Sequence, residues 1–218
     1  MGDSRKYRKI IPGNENEPWR FSTFREKYFE KGNLGFQVHQ VFGAKLDVYL
    51  NDRRGPRDFS CHGAQGFELV ALGYNTPAHY PLAPEHDHLR DFHNHLVLQA
   101  AAYQNGTWIF GVAKAGGKKA GPIGGNCIIA PTGEIVLSVK LSDELILAEC
   151  DLDRCKEIQE NIFNFYLHRQ PEEYSLITAL SKESASNGIF SSKNYETEKK
   201  SIREKNQHKC NVNNLKHF

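Results

Sequence analysis

Val48-Tyr49-Leu50-Asn51-Asp52-Arg53-Arg54 joins the end of an apolar, strand-like run to four polar side chains. Two adjacent guanidinium groups suit a carboxylate, because each can bind it through paired hydrogen bonds. In α/β enzymes, binding and reacting residues are usually carried where a strand ends. The stretch is therefore either a small-carboxylate site or a solvated charged loop with internal Asp–Arg pairing. It contains no nucleophilic side chain.

A second polar stretch follows the next apolar run. Residues 67–72 form a nearly continuous apolar segment, which is typical of a strand covered on both faces. Gly73-Tyr74-Asn75-Thr76-Pro77 closes it, and alone this pattern predicts only a turn in which the asparagine bonds to its own backbone. Since both polar stretches follow predicted buried strands, we expect them to lie side by side.

The rest of the chain predicts a layered α/β sandwich. Strands are predicted over residues 37–42, 45–50, 107–113, 126–130, 135–139 and 146–151. Helices are predicted over 59–66, 89–105 and 153–163, the last with Asp153 as its N-cap. The buried face of the middle helix is predicted to hold Phe92, Leu96, Leu98, Ala101 and Ala102. Strands and helices alternate first and hairpins follow, which favours this fold class.

The two ends of the chain differ from its middle. Residues 4–11 are strand-like, and a domain rarely opens on such a strand without earlier elements to pair with, so we expect a partial sandwich that lacks N-terminal strands. Residues 181–218 carry eight Lys or Arg against four Glu and show no periodicity, which predicts a disordered basic tail. The predicted domain therefore spans residues 4–180.

Composition narrows the function classes. Outside the tail the net charge is about −2, which disfavours a nucleic-acid surface. Five cysteines without CxxC spacing indicate reduced thiols, and neither a signal peptide nor a membrane helix is predicted, so we expect a cytoplasmic protein. His86-Asp87-His88, His93 and His95 lack the spacing of a closed zinc site, and the glycine loop 116–121 lacks a phosphate-binding pattern. We expect neither metal nor cofactor.

An ordered set of motifs resembles a known family. The set consists of Lys6-Tyr7-Arg8-Lys9-Ile10, Asn51-Asp52-Arg53-Arg54, Gly73-Tyr74-Asn75-Thr76-Pro77, His86-Asp87-His88-Leu89, Tyr103-Gln104-Asn105-Gly106, Ala130-Pro131-Thr132-Gly133-Glu134-Ile135, Asp151-Leu152-Asp153-Arg154-Cys155, Asn161-Ile162-Phe163-Asn164-Phe165 and His168-Arg169-Gln170-Pro171. In this order, over residues 4–180, they resemble the carbon–nitrogen hydrolase (nitrilase) superfamily, and within it the N-carbamoyl-D-amino-acid amidohydrolases. The resemblance implies an α-β-β-α sandwich that assembles into dimers or tetramers.

The resemblance also implies a reaction. Family members cleave a C–N bond with a Glu-Lys-Cys triad, in which cysteine attacks the carbamoyl carbon, glutamate acts as base and lysine stabilises the oxyanion. The products are a D-amino acid, carbon dioxide and ammonia. The implied partner is thus a small-molecule carboxylate substrate.

The matching positions carry these roles only in part. Lys9 matches the triad lysine, and Asn51 follows the nucleophile position, where a backbone N–H helps to hold the oxyanion. Arg53 and Arg54 match the pair that grips the substrate carboxylate. The substrate-pocket positions fall at Asn75 and Thr76, and a family histidine falls at His93 or at its neighbour Asn94.

The departures affect catalysis directly. Leu50 stands where the family has its nucleophilic cysteine, and Cys61, eleven residues later, lies on the next predicted helix. The triad glutamate belongs to the N-terminal part of the family fold, which we expect this chain to lack, and a supporting glutamate falls at Glu26 only if the register shifts by one residue. Losing a triad nucleophile typically costs on the order of 10⁶ in rate. We therefore expect either a truncated, inactive hydrolase or a non-catalytic protein that binds a small carboxylate or pairs with an intact homologue.

Overall fold

Six strands form one sheet in the described part of the chain. The computed structural model describes residues 7–9, 30, 32–49, 55–79, 83–114, 121–139, 144–174 and 177. The strands are β1 (His39–Val41), β2 (Ala44–Tyr49), β3 (Leu69–Tyr74), β4 (Trp108–Ala113), β5 (Asn126–Ile129) and β6 (Ile135–Val139). They lie in sequence order across the sheet. The three central strands are parallel, and the pairs β1–β2, β4–β5 and β5–β6 are antiparallel.

Two helices connect the parallel strands, α1 (Pro56–Gly63) between β2 and β3 and α2 (Arg90–Asn105) between β3 and β4. Two shorter helices, α3 (Asp153–Glu157) and α4 (Phe165–His168), follow β6. A 3-10 turn, Pro84–Leu89, leads into α2, and a π-helical turn, Ile158–Ile162, continues α3. Parallel neighbours need such crossovers because a tight hairpin cannot reverse the chain between them. The predicted α/β class is confirmed.

The chain divides into two units, residues 1–168 and 169–218. The first contains the sheet and the four helices. In the second, the described residues include a 3-10 turn, Pro171–Tyr174. The backbone N–H of Gln170, the residue before this turn, donates to the Tyr174 hydroxyl at 3.1 Å. The predicted tail, residues 181–218, lies outside the described residues, so its predicted disorder stays a prediction.

One face of the sheet packs against α1 and α2, and we call it the helix-side face. Its strand residues pair across the sheet as one aliphatic row, in which Val70 lies beside Ile109 and Ile109 beside Ile129. Phe59 of α1 and Leu98 of α2 belong to the same buried cluster. Burying such side chains contributes roughly 1.5–3 kcal/mol each. This cluster is the main core of the described chain.

The other face, which we call the opposite face, is covered less completely. Trp108, Ile128 and Cys155 form a smaller buried cluster there, against which the irregular segment 144–150 packs. Val48, Val112 and Leu137 remain exposed on strands β2, β4 and β6. The described residues therefore close one face of the sheet and leave part of the second open.

Gln159, in the π-helical turn, ties the end of the first unit to the sheet. Its side-chain amide donates to three backbone carbonyls, those of Phe67 at 2.9 Å and of Asn105 and Gly106 at 3.1 Å. Two of these carbonyls belong to the end of α2, where a helix leaves its last carbonyl groups without internal partners. The amide thus caps α2 and holds the start of β3.

Three sequence-based expectations about elements are wrong. Residues 146–151 form no strand, although burial alternates along them, because no neighbouring strand is hydrogen-bonded to them among the described residues. Phe92 and Leu96 are exposed by 58% and 49%, since the inward face of α2 runs through Asn94, Leu98, Ala101, Ala102 and Asn105. Asp153 is not the N-cap of α3; Leu152 is, and the Asp151 carboxylate accepts the backbone N–H of Asp153 at 2.9 Å.

Several element boundaries also differ from the predicted ones. The helix expected from residue 59 begins at Pro56, where the fixed φ of proline suits a first helical position. The strand expected to end at Leu72 continues through Gly73 and Tyr74, so the turn begins only at Asn75. Residues 7–9, predicted within a strand, are irregular.

Candidate active site

The ends of β2 and β3 meet at one edge of the sheet. The two strands are parallel, with Leu46 opposite Leu69 and Tyr49 opposite Leu72. Residues that follow both strands therefore leave from the same edge, as the sequence predicts. Residues 50–54 lie outside the described residues, so the predicted roles of Leu50, Asn51, Arg53 and Arg54 stay predictions.

The segment after β3 is paired with a later part of the chain. The backbone N–H of Ile123 donates to the Thr76 carbonyl at 2.9 Å, and that of Ala78 donates to the Gly121 carbonyl at 2.9 Å. Thr76 is buried, whereas Asn75 is exposed. These bonds fix the backbone on both sides of Pro77, so the exposed Asn75 amide is presented on a well-supported segment beside the end of β2.

Tyr74, the last residue of β3, bonds two other parts of the chain through its hydroxyl group. Its hydroxyl donates to the Gly125 carbonyl and accepts from the Asn94 side-chain amide, whose nitrogen lies at 3.1 Å. Asn94 is buried on the inward face of α2. His93 is exposed, and its ring lies 6.4 Å from that of His86. Of the two positions that the resemblance leaves open, the geometry therefore places Asn94, not His93, beside the end of β3.

Lys9 is held through its backbone. Its carbonyl accepts the backbone N–H of Gly32 at 2.8 Å, and the neighbouring Arg8 guanidinium donates to the Asn33 side chain at 2.6 Å. A Cβ atom on Gly32 would lie 2.5 Å from the Arg8 carbonyl oxygen, so this approach requires glycine. The catalytic role of Lys9 stays a prediction, and Glu26 lies outside the described residues.

Three of the described cysteines have thiols with a raised pKa. Cys61 is exposed on α1, and partial burial and the Asp58 carboxylate raise the pKa of its thiol. Burial raises the pKa of Cys155 to about 12 and also raises the pKa of Cys150. Because the thiolate is the reactive form, a raised pKa suppresses attack. Its raised pKa makes Cys61 a poor substitute for the nucleophile that the resemblance implies at position 50.

Two histidines before and within α2 contact carboxylates. His79 lies 2.6 Å from the Asp87 carboxylate, and His95 contacts Asp91 one turn earlier on α2. In the described part of the chain, no group of three or more His, Cys, Asp or Glu side chains is arranged to hold a metal ion. The same residues include no helix with the length and apolar character needed to cross a membrane.

The sequence-based reasoning missed one buried polar cluster. Asp47 on β2 and Asp58 and His62 on α1 are all nearly inaccessible to solvent. The only sequence signal was a carboxylate in the middle of an apolar strand, at a position that alternation assigns to a solvent-facing side. This cluster lies between the two elements that flank residues 50–55.

Comparison with known protein families matches residues 2–160 to the family described as carbon-nitrogen hydrolase. The chain belongs to this family. The match covers the whole sheet, α1 and α2, and it ends in the π-helical turn that carries Gln159. Family membership confirms the coarser part of the resemblance and leaves the substrate open.

Individual relatives of the carbon–nitrogen hydrolase family agree with this assignment. The chain is 27% identical over 157 residues to a probable nitrilase of Schizosaccharomyces pombe, an alignment that covers 71% of this chain and 53% of the relative. A carbon–nitrogen hydrolase from Helicobacter pylori G27 has a similar structure, with a TM-score of 0.65 and 21% identity, covering 78% of this chain and 60% of that chain. Nit3 of Saccharomyces cerevisiae, a member of branch 10 of the nitrilase superfamily, gives a TM-score of 0.57 at 17% identity. The superposition covers 76% of this chain and 54% of Nit3.

The structural relatives establish the fold of this carbon–nitrogen hydrolase family member. At 17–21% identity they carry no information on its substrate. The chain spans about half to three-fifths of the lengths of these relatives.

Proposed function

We propose that this member of the carbon–nitrogen hydrolase family binds small carboxylates of the N-carbamoyl-D-amino-acid class without hydrolysing them. The proposal combines the predicted guanidinium pair Arg53 and Arg54 with Asn75 and Thr76. Guanidinium groups bind carboxylates through paired, charge-assisted hydrogen bonds. The carbamoyl end of such a ligand needs hydrogen-bonding partners, and the exposed Asn75 amide in the segment after β3 offers one.

The observation that carries the proposal is the parallel register of β2 and β3. With Tyr49 opposite Leu72, the chain leaves β2 at the same edge of the sheet from which it leaves β3 towards Asn75. Antiparallel pairing would have placed them at opposite edges. Ligands of open α/β sheets bind outside the carboxyl ends of parallel strands.

Leu50 is the reason for proposing binding without turnover. Its side chain has no atom that can attack a carbonyl carbon, and the exposed thiol on α1 is held protonated by its raised pKa. Removing the nucleophile of a catalytic triad lowers the rate by on the order of 10⁶. Carboxylate recognition does not depend on that nucleophile, so binding can persist without it.

Calorimetric titration with an N-carbamoyl-D-amino acid tests the proposal. We expect a saturable heat that is lost when Arg53 and Arg54 are both replaced by glutamine. Arg57→Gln is the matched control, because Arg57 is an exposed arginine on α1 outside the predicted pair. A folded sample that gives no heat above background would exclude binding. Ammonia release from the same compound at rates typical of an enzyme would show that the chain is catalytically active and would contradict this part of the proposal.

A second proposal concerns partners, and the exposed opposite face favours it. Val112 and Leu137 present apolar surface that soluble proteins usually cover. We propose that the chain associates through this face with a second copy of itself. Light scattering over a range of concentrations tests this: Val112→Lys is expected to shift the purified chain towards monomer, and an unchanged monomeric mass for both proteins would exclude self-association.

A further inference from the structure

Residues 121–125, which we call the supporting segment, run beside the chain that follows β3. Two backbone hydrogen bonds of 2.9 Å join the two stretches, one from the Ile123 N–H to the Thr76 carbonyl and one from the Ala78 N–H to the Gly121 carbonyl. Thr76 and Ile123 are both buried. A displacement of the supporting segment therefore displaces the chain after β3 as well.

Asn75 is the residue whose position depends on this pairing. It is exposed, and it stands between two buried residues, Tyr74 at the end of β3 and Thr76. The backbone on one side of it is fixed by the sheet, and on the other side by the bond from the supporting segment. An amide that is ordered before a ligand arrives costs little conformational entropy on binding. The order of Asn75 thus follows from whatever holds the supporting segment.

The supporting segment ends in two glycines that cannot fix their own conformation. Gly124 and Gly125 have φ angles of +68° and +82°. Glycine adopts these left-handed angles without strain, but it also has the widest choice of other conformations. A Cβ atom on Gly125 would lie 3.2 Å from the Cε1 atom of His95, so the segment passes directly against α2. A contact from outside the segment is therefore needed to hold this backbone.

Tyr74 and Asn94 supply such a contact. The Tyr74 hydroxyl donates to the Gly125 carbonyl, and the side-chain amide of Asn94 donates to the same hydroxyl at 3.1 Å. A hydroxyl has one proton, so a donor placed on its oxygen leaves that proton for the carbonyl. Both side chains are buried, where a wrongly oriented hydroxyl would be costly. Asn94 therefore orients the bond between Tyr74 and the supporting segment.

We propose that Asn94 is a positioning residue, which acts through the Tyr74 hydroxyl on the supporting segment and so fixes the exposed Asn75 amide for the carbamoyl group of a ligand. The restraint of the supporting segment is independent of any ligand. Its importance for carbamoyl binding rests on the proposed function.

Hydrogen exchange measures the restraint directly. The Ile123 amide exchanges when its bond to the Thr76 carbonyl opens, so its rate reports the open population of the supporting segment. The Glu68 amide, which donates to the Lys45 carbonyl at 2.9 Å just before β3, is the internal reference. We expect Asn94→Leu to accelerate exchange at Ile123 by about tenfold relative to Glu68, the effect of losing one hydrogen bond. An unchanged ratio of the two rates would overturn the proposal.

Gln99→Leu is the matched control on the same helix. The Gln99 side-chain amide also donates to a backbone carbonyl outside α2, that of Gly133 at 2.9 Å. This variant should accelerate exchange of the Gly133 amide, which donates to the Ala130 carbonyl at 2.8 Å, and leave Ile123 unchanged. Asn94→Leu should do the reverse. Acceleration at Ile123 by both variants would mean a general loosening of α2 and would overturn the proposal.

A double-mutant cycle separates an action through Tyr74 from packing alone. Once Tyr74→Phe has removed the hydroxyl, Asn94→Leu should have little further effect, so the double variant should exchange at Ile123 within about twofold of Tyr74→Phe. Independent effects, in which the two accelerations multiply, would overturn the proposal. Should Asn94→Leu show no cooperative melt, Asn94→Ala takes its place in the cycle with the same expected order of rates.

Calorimetry with the N-carbamoyl-D-amino acid adds the functional arm. If the natural chain binds, Asn94→Leu should weaken binding by roughly tenfold, because the ligand must then order the Asn75 amide itself. Gln99→Leu should bind as the natural protein does. An unchanged affinity in Asn94→Leu would overturn the link to binding. Absence of binding by the natural chain would remove the proposed function alone, since the exchange rates decide the restraint without a ligand.

Discussion

The helix-side face of the sheet is a closed core, whereas the opposite face is only partly covered by the described residues. Val70, Ile109 and Ile129 are completely buried against α1 and α2. On the other side Val112 is 62% exposed, although it lies on the same strand as Ile109. The difference shows that burial in a sheet depends on the layer packed against it, and that apolar composition alone does not create a core.

The largest expected effect tests the packing of the helix-side face. Leu98→Ala removes a fully buried side chain from the inward face of α2 and should lower the free energy of unfolding by about 2–5 kcal/mol. Leu96→Ala is the matched control on the same helix, because Leu96 is half exposed, and it should change stability by less than about 1 kcal/mol. Denaturant titration of both variants measures the contrast, and equal losses would contradict the assignment of the inward face.

The second largest effect is expected from acid, which should lower the free energy of unfolding through a group on the helix-side face. His62 has its pKa lowered from 6.5 to about 4 by burial, so the unfolded chain binds more protons between these values. Stability from this group is complete above about pH 6.5 and falls as the pH drops towards 4, by up to roughly 3 kcal/mol.

The measurement is the free energy of unfolding at several pH values. His62→Asn lacks the titrating ring and should show a shallower slope over this window. Parallel slopes for the two proteins would show that His62 is not responsible.

A smaller effect is expected at the end of β3. Tyr74→Phe removes a buried hydroxyl that serves the Gly125 carbonyl and the Asn94 amide, and it should cost about 1–3 kcal/mol. Tyr103→Phe, at a more exposed tyrosine of α2, should be nearly neutral. Thermal or denaturant melts compare the two variants. No difference between them would mean that the Tyr74 hydroxyl does not organise this edge.

The smallest expected effect tests the exposure of the opposite face. Val112→Thr should change the free energy of unfolding of the monomer by no more than about 0.5 kcal/mol. Val70→Thr makes the same change on the helix-side face, where burying a hydroxyl costs about 1–3 kcal/mol. Denaturant titration at low protein concentration compares them. A loss at Val112 as large as that at Val70 would show that something covers the opposite face.

Local pattern predicted much of the fold. The apolar runs before Asn51 and Asn75 gave β2 and β3, and Pro131-Thr132-Gly133-Glu134 gave the β5–β6 hairpin, because each signal lies within a few neighbouring residues. The failures involve partners distant in sequence. Residues 146–151 have a strand pattern, but no strand among the described residues is hydrogen-bonded to them, and helical spacing alone did not separate Leu96 from Leu98.

The candidate site was predictable only where polar residues follow a strand. Asn75 and Thr76 were predicted in this way, and the parallel register puts the end of β3, which they follow, at the predicted edge; their role in binding stays a prediction. The buried cluster of Asp47, Asp58 and His62 was not found, because nothing in the sequence pairs a strand residue with helix residues eleven and fifteen positions later. Leu50 attracts attention only through the family resemblance, which implies a nucleophilic cysteine at that position.

The Gln159 amide has a consequence for the order in which the chain is made. The carbonyls that it caps belong to residues more than fifty positions earlier, at the end of α2 and the start of β3. During synthesis from the N-terminus, α2 and β3 therefore emerge long before their cap. We expect the strands made by then to remain incompletely packed until residue 159 leaves the ribosome. During this period the nascent chain is most exposed to aggregation, and chaperone binding matters most.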